Sequence, residues 1–304
     1  MNNQPLQLRK AQKQKAKLRI GLAGTSGSGK TYSALLLASG LTSWDKICVI
    51  DTENGSADLY DHLGAYNVIT LEAPFSPERY TDAIRAAEAG GMEVIIVDSI
   101  THEWDGKGGC LEIVDQLGGR YQDWSKVTPR HSAFVQSILQ SHCHVITTVR
   151  RKQDYEMTKD QNGKIKVEKA GLKEITREGF EYELTLSFAL NQNHLVLASK
   201  DRTGVFADKP EFVIGVETGA TLKSWAETGV TDIMADEKQL EEIKELLKLK
   251  NKKAQPILDH YQVKKLTELT MKQAANAIFS LKKHPDYDPV GDQVANDAME
   301  ALNK

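Results

Sequence analysis

The chain has 304 residues, a length that suggests about two domains at roughly 150 residues each. Hydrophobic residues make up 40% and charged residues 27%, a globular composition that excludes collagen-like and wholesale disordered chains. The net charge of -3 does not by itself indicate nucleic acid, and no run reaches the about 18 apolar residues of a membrane helix.

The polar, basic start lacks the apolar core of a secretory signal. Arg9, Lys10, Lys13, Lys15, Lys17 and Arg19 occur there without an acidic residue. Residues 1–17 read as a basic arm, either a solvated lead-in or a contact for nucleic acid or a neighbouring subunit. Strands are expected over residues 18–23, 47–50, 68–71, 94–97 and 145–149. Helices are expected over 30–41, from Pro77 to about residue 89, and around 132–139. Short, continuously apolar strands alternating with helices predict an α/β fold whose mostly parallel sheet is covered on both faces. After a polar stretch, residues 182–190 and 194–198 flank Asn191-Gln192-Asn193, so the sheet should end in an antiparallel hairpin.

Composition shifts near residue 230, which divides an expected core of 18–228 from a helical module of 229–304. Asp236 with Gln239, and Thr270 with Gln273, form capping-box patterns ahead of amphipathic runs. A third apolar stripe is expected at Ala295, Ala298, Met299 and Leu302. Cys48, Cys110 and Cys143 are odd in number and widely spaced, which fits reduced thiols in a cytoplasm better than a disulfide framework.

The strongest chemical signal is Gly24-Thr25-Ser26-Gly27-Ser28-Gly29-Lys30-Thr31, a complete phosphate-binding loop between an expected strand and helix. Its amides and the following helix start would converge on phosphate oxygens, with Lys30 reaching the β- and γ-phosphates and the Thr31 hydroxyl ligating Mg²⁺. Tyr32 follows directly and is grouped with the nucleotide-binding residues. ATP and Mg²⁺ are the expected ligands. Asp98 ends the apolar strand 94–97, where P-loop enzymes hold the metal. Glu53, just past the second strand, is positioned to orient the attacking water, and Glu103 competes for that role.

In its order of P-loop, Asp-x-Glu after the second strand, strand ending in Asp-Ser, and terminal hairpin, residues 14–215 resemble the RecA-type ATPase core. The segments KAKLRIGLAGTSGSGKTYSAL (15–35), VIDTENGSAD (49–58) and VDSITHEW (97–104) carry the likeness. The chain is particularly similar to RecA-like bacteriophage nucleotide-binding proteins, some of which anneal single strands in recombination. The resemblance implies a catalytic role for Glu53, a Mg²⁺ role for Asp98, and the host bacterial cytoplasm as location. Lys200 and Arg202, after the hairpin, are similar to the pair that RecA-fold ring helicases insert into a neighbour's nucleotide site, which implies a homo-oligomer, ring or filament.

The resemblance also places two DNA-contacting loops at residues 105–123 and 150–177. The second carries Arg150, Arg151, Lys152, Lys159, Lys164, Lys166, Lys169, Lys173 and Arg177 around Tyr155, a pattern suited to single-stranded DNA. Acidic residues are interspersed (Asp154, Glu156, Asp160, Glu168), so a solvated hairpin or a disordered loop is the alternative. Arg150-Arg151-Lys152 stands where bacterial recombinases carry an Asn-Gln switch, and Thr147 or Thr148 is left to sense the γ-phosphate. Lys248, Lys250, Lys252 and Lys253 lie near a helix end, which favours them electrostatically and also suits DNA or a partner. His142-Cys143-His144 lacks a second ligand pair for zinc, and Trp104 and Trp124 read as core or interface residues.

The reading is an oligomeric ATPase that binds single-stranded DNA and promotes annealing, with a single-strand-binding protein or other recombination proteins as further partners and no membrane association. Its rivals are a hexameric DNA helicase or helicase loader, a nucleotide-switched interaction protein with little turnover, and, more weakly, a small-molecule kinase.

Overall fold

The computed structural model describes residues 11, 13–159, 165–229, 234–261 and 263–283, with backbone alone at 155–159, 165–170 and 272. These residues form two compact units, one spanning Ala16–Thr228 and one containing the helices of residues 237–282.

The larger unit begins β1 (Arg19–Gly24), α1 (Lys30–Leu41), β2 (Ile47–Asp51), β3 (Asn67–Thr70), α2 (Pro77–Ala89) and β4 (Val94–Asp98). It continues α3 (Thr101–Asp105), α4 (Cys110–Gln116), α5 (Trp124–Gln140), β5 (His144–Lys159) and β6 (Ile165–Glu174). It ends α6 (Phe180–Glu183), β7 (Leu186–Leu190), β8 (Leu195–Asp201), β9 (Phe212–Val213) and α7 (Val216–Glu227). The sheet order is β3-β2-β4-β5-β1-β7-β8-β9, with β6 paired to β5. The pairings from β3 through β7 are parallel, and β7–β8 and β8–β9 are antiparallel. This is the expected α/β fold with an antiparallel end.

Alternation along β4 shows how the sheet separates two cores. Val94 and Ile96 pack with Leu35, Leu37 and Leu222 on the α1/α7 face. Ile95 and Val97 pack with Tyr80, Ile84, Phe134 and Ile138 on the α2/α5 face. All are buried, so both faces are covered and the strand can be apolar at every position. On the first face α1 and α7 approach backbone to backbone. A Cβ on Gly40 would lie 2.1 Å from Val216 O, and one on Gly219 2.1 Å from Leu37 O.

Four segments differ from the sequence reading. β5 runs on past residue 149 and pairs with β6 as an antiparallel ribbon, Arg151 opposite Glu174 and Lys152 opposite Lys173. Charged residues dominate both strands of the ribbon, and the only apolar alternation is short, Tyr155 and Met157 on one strand and Ile165 and Val167 on the other. The 105–123 segment is no open loop: it contains α4 and a 3-10 turn over Tyr121–Asp123. α6 occupies residues 180–183, which delays β7 to Leu186, and β8 extends to Asp201, so Lys200 lies within a strand.

The smaller unit packs α8 (Glu237–Leu249), α9 (Gln255–Tyr261) and α10 (Met271–Lys282) around Ile243, Leu247, Leu269, Ala274 and Leu281. Asp236 Oδ1 accepts from Gln239 N at 2.7 Å, and Thr270 and Gln273 cap each other reciprocally. The stripe expected at 295–302 lies outside the described residues, as do Arg9 and Lys10 of the arm.

Candidate nucleotide site

The carboxyl end of β1 turns into α1 through a loop built on two left-handed glycines, Gly27 (φ 78) and Gly29 (φ 86). The loop is wound tightly enough that a Cβ on Gly24 would lie 2.4 Å from Ser28 Oγ, while one on Gly27 would meet nothing within 4 Å. Ser28 Oγ is fully buried and has no hydrogen-bond partner. Lys30 Nζ donates to Thr25 O at 3.0 Å. Burial lowers the Lys30 pKa, while Asp98 and Glu53 act in the opposite direction. Tyr32 is half exposed, its ring edge-on to Tyr60 at 6.0 Å.

Strand register brings the acidic partners to this loop. β4 lies beside β2 with Asp98 opposite Asp51, so both strands deliver their last residue at the same sheet edge. The Thr31 hydroxyl donates to Asp98 Oδ2 at 2.6 Å, and the Thr148 hydroxyl to Asp98 Oδ1 at 2.5 Å. Burial raises the Asp98 pKa, and these two hydrogen bonds oppose it. Of the two sensor candidates, Thr148 faces this site; Thr147 donates to Ile20 O within the sheet. Hydroxyl and carboxylate oxygens of this kind suit a hard cation such as Mg²⁺.

Glu53 is held by its neighbours. Asp51 Oδ1 accepts from Glu53 N at 2.6 Å and Oδ2 from Ala57 N at 3.0 Å, which fixes the loop after β2. Thr52 Oγ1 accepts from Ser99 N at 2.9 Å and shares a hydrogen bond with His102 Nδ1 at 2.8 Å, so this loop is tied to the end of β4. The Glu53 carboxylate forms an ion pair with Arg150, Nη2 to Oε1 at 2.8 Å. Its competitor Glu103 is fully buried elsewhere: it accepts from His131 Nδ1 at 3.0 Å and from Cys110 Sγ at 3.1 Å. Both Glu103 oxygens are thus within hydrogen-bond distance of His131, away from the Thr31–Asp98 contact.

Lys200 and Arg202 do not approach the loop of their own chain. β7 pairs Leu190 with Gly24, whereas Asp201 lies opposite Leu186, roughly 13 Å further down the strand. Lys200 Nζ donates to Glu181 O at 2.9 Å and to Tyr182 O, and Arg202 Nη2 to Tyr182 O at 2.7 Å.

The cations expected on a DNA path divide into two groups. Arg150 is paired with Glu53, and Arg151 with Glu174 at 3.4 Å. Lys152 and Lys173 are exposed and directly opposite on the β5–β6 ribbon. Lys164 lies outside the described residues, and so do the side chains of Lys159, Lys166, Lys169 and Tyr155. Trp104 and Trp124, expected in a core or an interface, stack at 5.4 Å and line an open groove of about 620 Å³ with Tyr121, Gln122, Thr128 and Arg177. Tyr121 is 94% exposed. In the 142–144 cluster, His144 Nδ1 accepts from Leu18 N at 3.1 Å and Cys143 Sγ donates to Met92 O at 2.9 Å.

Two residues that the sequence reading gave no role touch the phosphate loop. Gln192 Nε2 donates to Ser26 O at 3.3 Å and to Thr25 Oγ1, and His194 Nδ1 lies 3.1 Å from Ser28 O. Their only signal was membership of the hairpin turn next to the loop-bearing strand.

Residues 16–213 match the family model described as AAA domain. No curated protein matches the chain. Among solved structures, a prototypical ATPase from the type III secretion system of pathogenic bacteria aligns at 12% identity over 87% of this chain and 80% of that one. Its TM-score is 0.37, a likeness too slight to bear on function. No helix among the described residues is long and apolar enough to cross a membrane. A phosphate loop at the carboxyl edge of a mostly parallel sheet, within a match that spans most of the larger unit, makes this chain a member of the AAA-domain family of P-loop ATPases.

Proposed function

We propose that the chain binds ATP with Mg²⁺, hydrolyses it to ADP and phosphate at a subunit interface, and uses the nucleotide to bind and anneal single-stranded DNA, as some of the bacteriophage RecA-like proteins it resembles do. The observation that carries the reading is the convergence of Lys30, Thr31, Asp98 and Glu53 at one sheet edge beside an open glycine loop. The orphaned, buried Ser28 hydroxyl and the empty space over Gly27 fit a phosphate group. In this reading Lys30 and the loop amides bind the phosphates, and Thr31 and Asp98 hold the metal. Bound Mg²⁺ would neutralise charge on the phosphate oxygens. Glu53 orients the attacking water.

Lys200 and Arg202 come from a neighbouring subunit. Their position at the far end of the hairpin supports this, because they cannot serve their own loop. Single-stranded DNA is supported by two surfaces. Like charges directly opposite on a ribbon repel, so Lys152 and Lys173 call for an anion between them. The Trp104–Trp124–Tyr121 groove with Arg177 offers aromatic faces and a cation, the combination that holds unpaired bases.

A second reading, a nucleotide-switched protein with little turnover, is favoured by the Arg150–Glu53 ion pair, which engages the residue assigned to water. One experiment separates the two: ATP hydrolysis with and without single-stranded DNA, alongside annealing of complementary strands, for the parent and Lys30→Ala. DNA-stimulated hydrolysis and annealing, both lost in Lys30→Ala, are expected. Tight ATP binding without turnover and without any response to DNA would establish the switch instead.

A further inference from the structure

The turn between β7 and β8 is seated on the phosphate loop. Gln192 donates to Thr25 Oγ1 and Ser26 O, and His194 Nδ1 donates to Ser28 O, since a carbonyl can only accept. Gly29 leaves room for this contact: a Cβ there would stand 2.9 Å from the His194 ring nitrogen. One turn therefore touches Thr25, Ser26, Ser28 and Gly29. Thr25 is gripped from a second side as well, since its carbonyl accepts from Lys30 Nζ at 3.0 Å.

The turn is itself well fixed. Asn191 Oδ1 accepts from Asn193 N at 2.9 Å and from Leu195 N at 3.1 Å, and Asn191 Nδ2 donates to Glu211 at 3.2 Å. His194 adopts a left-handed backbone, φ 63, which aims its ring back at the loop. The strands on either side are locked by their ladder, with Leu190 opposite Val196.

We infer that Gln192 and His194 are positioning residues for the phosphate loop, holding it in the conformation that receives a triphosphate. The inference deepens the ATP-binding reading and rests on it. A loop with two left-handed glycines has many alternative conformations, and each one it visits costs affinity for the ligand that needs a single arrangement of amides. The hydrogen bonds from the turn to Thr25, Ser26 and Ser28 remove those alternatives. The loop grips the phosphates in the bound state and in the transition state alike. Loss of the brace therefore weakens binding and leaves the chemical step almost untouched.

The test uses the full chain and ATP itself, comparing the parent with Gln192→Ala, His194→Gly, the double variant and His194→Asn. Glycine suits the left-handed backbone but removes the donor, whereas asparagine suits it and keeps one. Each single loss should raise the ATP Kd and KM about five- to tenfold, and the double variant more, with kcat within about twofold of the parent. His194→Asn should stay near the parent, and the unfolding midpoint without nucleotide should not move. A double variant with parental Kd overturns the inference and leaves the ATP reading intact, as does a fall in kcat with KM unchanged. A parent chain that fails to bind ATP overturns both.

Discussion

Arg150 Nη2 lies 2.8 Å from Glu53 Oε1, and Arg150 Nε lies 3.0 Å from the same oxygen. The residue assigned to activate water is thus engaged by the first residue of the ribbon assigned to DNA. Arg150 N also donates to Thr101 Oγ1 at 2.9 Å, which anchors the arginine to the start of α3. A strand of DNA that drew the guanidinium away would release the carboxylate. Arg150→Ala should raise hydrolysis without DNA by up to about fivefold, because a partly exposed pair is worth about 1 kcal/mol at most. It should also flatten the response to DNA. Glu53→Gln should lower kcat by about 100-fold or more while ATP binding persists. Steady-state rates with and without an oligonucleotide check both, and a Glu53→Gln chain at parental rate removes Glu53 from the chemistry.

Sharing of the site between subunits has a sharper test than loss of activity. Arg202→Ala should reduce turnover by about 10³, and Lys30→Ala should also be inactive. Mixed under conditions of subunit exchange, the two should regain activity, because the first supplies an intact cradle and the second an intact Lys200 and Arg202. A mixture as inactive as its components would overturn the trans role and place Arg202 outside catalysis.

Glu103, His131 and Cys110 form a buried cluster in which each hydrogen bond has its partner. Removing the carboxylate leaves the imidazole and thiol unpaired in the interior. Glu103→Ala should therefore cost about 3–5 kcal/mol of stability, as read by chemical denaturation. Glu103→Gln keeps an acceptor and should retain kcat per folded molecule within about twofold. Should it instead lose turnover while staying fully folded, Glu103 and not Glu53 would be the water-activating residue.

His144 gives the fold a dependence on pH. Its Nδ1 accepts from Leu18 N, and burial, aided by Lys17, Arg19 and Lys223, pushes its pKa down to about 3. The unfolded chain binds a proton near pH 6.5, and the folded chain does not until about pH 3. Stability is therefore complete above pH 6.5 and declines as pH falls, by about 2 kcal/mol at pH 5 from this group alone. Urea midpoints at pH 7 and 5 should show the decline, and His144→Gln should flatten it.

The features legible in the sequence were those written in short, local patterns. The phosphate loop, the β1, β2 and β4 strands, the Asp236 cap and the Thr270–Gln273 capping box each depend on residues within a few positions of one another. What escaped notice depends on distant partners. The β5–β6 ribbon was open only as one alternative, because its apolar alternation is short and its Arg151–Glu174 pair joins residues more than twenty positions apart. α7 carries Gly219 in mid-helix, a poor helix former whose value appears only against Gly40 of α1. Glu53 and Glu103 look equivalent along the chain, and only the packing of α3 to α5 buries the second. Arg150 read as a DNA cation because Glu53, its partner, is far away in sequence.

β8 starts beside the phosphate loop and ends at Asp201, next to Lys200, so a single hairpin spans from the chain's own nucleotide cradle to the two cations proposed to act on a neighbour. Its ladder shifts register between Ser187 and Phe188, part-way from the turn to the cations. In an assembly of the proposed kind, that hairpin would link occupancy of one cradle to the placement of the cations at the next.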